Sequence, residues 1–107
     1  MSNLKLKFTP QSFEAAMRTL DGKQAMSIGH NTRLELDSFT GEVFATYHGN
    51  RIVCYSPEGV EASWAGWTSN TTTNRLNMLA PARFNIKNFT AHLNGEPVES
   101  SGWHKVS

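Results

Sequence analysis

The run Ile52-Val53-Cys54-Tyr55 is apolar at consecutive positions. Successive side chains of a strand point to opposite faces, so a strand of this kind needs cover on both sides. That requirement rules out a bare two-layer hairpin and places Arg51 to Tyr55 at the centre of a sheet. The flanking sequence supplies the neighbours. Leu34 and Leu36 alternate with charges, Ser38-Phe39-Thr40-Gly41 turns the chain, and Val43 to His48 forms the next strand. Gly49-Asn50 is the two-residue hairpin candidate, and Ser56-Pro57-Glu58-Gly59 reads as a type I turn. Val60, Ala62 and Trp64 then point one way while Glu61 and Ser63 point the other. Residues 32 to 64 are thus expected to form a four-stranded antiparallel meander.

Helical spacing flanks this meander. Thr9-Pro10 offers a hydroxyl cap and a proline at a first helical position. Phe13, Ala16, Met17 and Leu20 recur on one face, and Asp21-Gly22 supplies a stop, so an amphipathic helix of about three turns is expected over Pro10–Leu20. Before it, Leu4, Leu6 and Phe8 alternate as in a short edge strand. After the meander, Leu76, Met78 and Leu79 suggest a second short helix ended by Pro81. Phe84 to Lys87 and Phe89 to Leu93 read as strands, with Asn94-Gly95 turning a C-terminal hairpin before Val98. The expected fold is α+β, a single domain over 1–107 with one core.

Composition narrows the function classes. Ten basic residues against nine acidic ones leave a formal charge of +1, and no basic run exceeds one residue. A nucleic-acid binder of this size usually shows a basic stripe, so nucleic acid ranks low among partners. Cys54, the one cysteine, excludes an intrachain disulfide and any multi-cysteine metal site, and its apolar neighbours mark it as a small core residue. The first residues lack the apolar stretch of a signal peptide and no later segment could span a membrane. A soluble, cytoplasmic protein is expected, without a membrane partner.

The stretch Ala65-Gly66-Trp67-Thr68-Ser69-Asn70-Thr71-Thr72-Thr73-Asn74-Arg75-Leu76-Asn77 carries five hydroxyl side chains within six residues. It has two readings. Ser69, Asn70 or Thr71 could cap the second helix, and three threonines suit a helix mouth better than a helix interior. A helix mouth also accepts anions, through free amides and the partial positive charge of the dipole. Thr71 and Arg75 are four apart and share a face, so a hydroxyl and a guanidinium could converge on a phosphate, with Trp67 stacking a ring beside it. Arg75 separates the alternatives: a solvated side chain, an anion ligand, or a residue that bonds inward to carbonyls and holds the helix to the sheet.

The same segment resembles a signature of small uncharacterised phage and prophage proteins, carried here by Gly66-Trp67, Ser69, Thr71-Thr72 and Arg75-Leu76-Asn77 after the turns His48-Gly49 and Pro57-Glu58-Gly59. The resemblance covers roughly residues 30 to 93. It departs at Ala65, where a second glycine is usual, at Ser69, where threonine is usual, and at Thr73, where a cation is common. The lost cation counts against binding to a nucleic-acid backbone. The resemblance implies a viral origin and no particular chemistry. With it, the candidate ligand-binding residues are His48, Trp67, Ser69, Thr71, Thr72, Arg75 and Asn77.

No catalytic arrangement stands out. His30, His48, His92 and His104 lack metal-ligand spacing, and Glu35, Asp37 and Glu42 flank a turn as the wet face of a strand. No serine sits in a nucleophile elbow. The chain is expected to be a non-enzyme with no metal and no cofactor. Trp103 either packs on the sheet or joins an interface with a second copy in a homodimer. Two classes of role compete. The first is a phage counter-defence module that captures a phosphate-bearing small molecule such as a signalling nucleotide, through a pocket lined by Trp67, Thr71 and Arg75. The second is a protein-binding inhibitor of a bacterial host complex, anti-CRISPR-like or acting on a polymerase, through a flat aromatic or acidic patch.

Overall fold

A computed structural model describes residues 6–107. Its centre is the expected meander, formed by β2 (Thr32–Leu36), β3 (Val43–Tyr47), β4 (Asn50–Ser56) and β5 (Gly59–Ala62). Two strands that sequence patterning missed extend it at the edges, β1 (Ala25–Gly29) and β9 (His104–Lys105), giving the order β1-β2-β3-β4-β5-β9. Neither is strand-like by composition. Ala25-Met26-Ser27-Ile28-Gly29 holds one β-branched residue, and β9 is two residues long. Pairing to neighbours, not propensity, makes them strands. The α+β class stands.

The inner face of this sheet carries Leu34, Ala45, Val53 and Ala62 in one cross-strand row and Leu36, Val43, Tyr55 and Val60 in the next. On it lie α1 (Phe13–Leu20), with Ala16 and Leu20 buried, and α2 (Asn70–Leu79), with Leu76 and Leu79 buried. The three-stranded sheet of β6 (Phe84–Lys87), β7 (Thr90–Leu93) and β8 (Glu96–Val98) adds Phe84 and Ala91 to the same core. The outer face has its own small cover. Phe44 and Cys54 are cross-strand partners there, and Trp103 meets the Phe44 ring edge-on with centroids 6.3 Å apart. Trp103 therefore packs on the sheet, and Arg51 stacks on the same ring, 3.9 Å from its centroid. The two-sided cover that Ile52–Tyr55 demanded is supplied in this unequal way.

Several boundaries differ from expectation. The first helix starts three residues later than Pro10, because Ser12 rather than Thr9 is the cap and accepts a hydrogen bond from the Ala15 amide at 3.1 Å. Asp21 closes it in the left-handed conformation, φ 51°. Residues 6–8 are not a strand; only the Lys7 amide bonds to the sheet, at the Ile28 carbonyl, and Leu4 lies outside the described residues. The β3–β4 turn is His48-Gly49 rather than Gly49-Asn50, since Tyr47 pairs with Asn50 and strand β3 stops before His48. Phe89 is not in a strand: Lys87 pairs with Thr90, leaving Asn88-Phe89 as the turn. The second helix is ten residues long and takes in the whole threonine run.

Tyr55 ties the layers together. Its hydroxyl, fully buried, lies 2.6 Å from the Leu79 carbonyl at the end of α2 and 2.9 Å from the Pro10 carbonyl ahead of α1. One proton serves two carbonyls, both of which would otherwise be buried without a partner. Tyr55→Phe keeps the ring and removes that proton, so it should cost ~1–3 kcal/mol and lower the melting temperature by several degrees in a thermal scan.

Alkali should act through the same strand. Burial pushes the Cys54 thiol up to about 12, with Glu42 and Glu61 opposing its charge further, and burial raises the Tyr55 phenol above its usual range. Both groups ionise more readily in the unfolded chain. The stability they contribute is fully present below the ordinary thiol value and is lost as pH rises toward 12. Denaturant midpoints should fall steadily from about pH 9 upward, and Cys54→Ala should flatten the first part of that fall.

Candidate functional site

The segment that raised the functional question forms the rim of a cleft. Ser69 is the cap of α2, in extended conformation, and its Oγ accepts from the Thr72 amide at 3.2 Å. Thr73 Oγ1 donates to the Ser69 carbonyl at 2.8 Å and accepts from Trp64 Nε1 at 2.9 Å, deep in the core. Of the three cap candidates Ser69, Asn70 and Thr71, Ser69 is the cap, while Thr73 lies inside the helix and bonds back to the Ser69 carbonyl. Ser69 Oγ further meets Thr71 Oγ1 at 3.3 Å and Thr72 Oγ1 at 3.0 Å, so these hydroxyls are engaged as well. The amides of Asn70 and Thr71 are ahead of the first helical hydrogen bond, the Thr71 side chain is half-buried, and no acidic residue sits in the first turn to offset the dipole.

Facing this helix mouth is the β3–β4 hairpin end. Ile52 is the extra residue of a bulge, having no partner between Ala45↔Val53 and Thr46↔Arg51. The bulge helps bring the hairpin end against the start of α2. Between them lies a cleft of about 350 Å³, lined by residues that include Tyr47, His48, Asn50, Trp67, Ser69 and Thr71. Ile52, Trp64 and Thr72 complete the wall. His48 lies against Tyr47 with ring centroids 4.4 Å apart, and Trp67 is 63% exposed at the edge. Its indole is thus available to a flat group entering from solvent.

Five of the seven sequence-derived candidates meet here: His48, Trp67, Ser69, Thr71 and Thr72. Arg75 and Asn77 do not line the cleft. Arg75 is 1% exposed and takes the inward alternative. Its Nε donates to Thr32 Oγ1 at 3.0 Å, Nη2 to the His30 carbonyl and Nη1 to the Thr71 carbonyl, both at 3.3 Å. The guanidinium also lies 4.2 Å from the centre of the Tyr47 ring, directly behind the cleft wall. It braces Tyr47 and the Thr71 carbonyl from behind the cleft and does not line it. Asn77 turns to the other sheet. Its side-chain amide donates to the Phe84 carbonyl and accepts from the Phe84 amide, both at 2.8 Å, as a neighbouring strand would.

Tyr47 and Asn50 were not among the candidates, although they flank the turn that supplied His48. Only the register of the hairpin over α2 brings them to the cleft. Two of the remaining three histidines hold local backbone, His92 at the Thr90 carbonyl and His104 at the Glu99 carbonyl. Among the described residues no group of three or more His, Cys, Asp or Glu is placed to hold a metal ion. No described helix is long and apolar enough to cross a membrane.

Removing the buried fork should be costly. Arg75→Ala leaves two carbonyls and a hydroxyl short of a donor and opens a cavity beside Tyr47, so a loss of about 2–4 kcal/mol is expected in chemical denaturation. Arg75→Lys should recover only part of it, because a single ammonium cannot reproduce the fork. A stability change below ~0.5 kcal/mol for Arg75→Ala would contradict this placement.

A family model described as Kyanoviridae Gp96 protein matches residues 9–106, well beyond the span of the signature. No curated protein and no solved structure matches the chain.

Proposed function

The chain belongs to the Kyanoviridae Gp96 protein family, a phage family, and on that premise we propose that it is a phage accessory protein that captures a phosphate-bearing small molecule, of the kind a signalling nucleotide represents. The observation that carries this proposal is the union, in one cleft, of an exposed indole and a helix mouth without acidic side chains. A planar ring would lie against Trp67 at the rim, with Tyr47 and His48 on the opposite wall. Its anionic group would meet Thr71, at the helix mouth where the dipole favours negative charge. Arg75 behind Tyr47 adds a fixed positive field at low cost in reorganisation. A volume of about 350 Å³ sits at the small end of ligand pockets and suits one nucleotide unit.

Capture without turnover is proposed, since no carboxylate lines the cleft to pair with His48 as an acid–base couple. Sequestration of a host signal would make such a module useful to a phage as counter-defence.

A thermal-shift panel of nucleotides and cyclic nucleotides tests this directly. A ligand at a hundred times its dissociation constant should add ~2.7 kcal/mol, several degrees in a domain of this size. Trp67→Ala should weaken that ligand by about tenfold to a hundredfold, the loss of one stacked ring, and leave the melting temperature of the free protein unchanged. Absence of any shift across the panel, or hydrolysis of the bound nucleotide by the purified protein, would overturn the proposal.

A further inference from the structure

Asn50 does no work that its own fold requires. The turn before it is made by His48 and Gly49, at φ 53° and 82°, so position 50 needs none of asparagine's tolerance for the left-handed region. It opens β4 and pairs with Tyr47, although asparagine is disfavoured in strands. Its side chain makes no hydrogen bond to any described residue. Residues paired across two strands project to one face, and Asn50 and Tyr47 both line the cleft.

The other polar groups of the cleft are committed elsewhere or carry one function at a time. The Ser69, Thr71 and Thr72 hydroxyls meet one another, and the Trp64 indole donates to Thr73. Tyr47 offers one hydroxyl, Trp67 one N–H, and the two ring nitrogens of His48 face away from each other. Asn50 is the residue of this wall with a donor and an acceptor side by side in one plane. A nucleobase edge that matches it must present an acceptor beside a donor. Adenine does so on both of its hydrogen-bonding edges, through N6 with N7 and through N6 with N1. Guanine presents two acceptors at O6 and N7, so it matches on its other edge alone, and cytosine and uracil likewise match on one edge.

We propose that Asn50 makes the cleft selective for adenine nucleotides, its Nδ2 donating to N7 or N1 and its Oδ1 accepting from the N6 amino group. The inference rests on nucleotide capture in this cleft and adds which base is taken. An amide that faces water gives up two hydrogen bonds when a base arrives. A base that returns only one of them leaves the other group unpaired.

Titration calorimetry with the monophosphates of adenosine, guanosine, cytidine and uridine, and with their cyclic forms, tests the assignment. Adenine nucleotides should bind about tenfold tighter than the other three. Asn50→Asp puts an acceptor where the donor was, which suits the adjacent N1–H and N2–H donors of guanine. The ratio of adenine to guanine affinity should then fall by about a hundredfold and invert. The added negative charge repels every phosphate alike and cancels in that ratio. Asn50→Leu, similar in size and without hydrogen bonds, should bring the four bases within about threefold of one another, at an unchanged melting temperature of the free protein. Binding without preference for adenine, or a ratio that Asn50→Asp leaves as it was, would overturn this inference and leave nucleotide capture standing. No binding of any of these nucleotides would overturn both.

Discussion

A buried guanidinium organises this protein. A charge taken out of water is tolerable only where hydrogen bonds replace its hydration. Arg75 obtains them from three separate places: the β1–β2 turn at His30, the first residue of β2 at Thr32, and its own helix at Thr71. The Tyr47 ring supplies a further face. Each partner is thereby fixed relative to the others. The helix cannot shift along the sheet, nor the hairpin end lift away from it, without stripping bonds from the cation. Fork geometry matters as much as charge, since separate N–H groups have to point at separate acceptors.

The cleft is a by-product of the same anchorage. Because Arg75 sits beneath Tyr47, the β3–β4 turn is held facing the start of α2, and a gap remains that no side chain fills. Ser69 Oγ caps the helix start at the Thr72 amide, and the Thr73 hydroxyl links the Ser69 carbonyl to the Trp64 indole. The Ser69 hydroxyl also gathers the Thr71 and Thr72 hydroxyls at the helix start. Trp67, two residues before the cap, is left at the edge, where its ring is largely wet.

The two sheets carry unequal burdens. The larger one holds the core and both helices, and Tyr55 links the start of one helix to the end of the other through a single hydroxyl. The smaller one is attached through α2, where Asn77 bonds to Phe84 as a strand edge would. That attachment explains how a residue from the sequence signature can be structural rather than ligand-binding.

Much of this was legible in the chain. Alternation at Leu34–Leu36 and Val60–Trp64, the doubly apolar run at Ile52–Tyr55 and the turn residues between them determined the meander and its order, because strand periodicity and turn chemistry are local. Helical spacing determined α1, though not which of Thr9 and Ser12 would cap it, since the Pro10 carbonyl is claimed by a tyrosine 45 residues away. The same limit hid β1 and β9, whose residues become strands only by pairing with a sheet already formed. It also hid the direction of Arg75. A helical position four residues from Thr71 says that the two share a face. Only tertiary packing decides whether that face looks at solvent or at the His30 carbonyl, because burial of a charge depends on donors and acceptors gathered from distant parts of the chain.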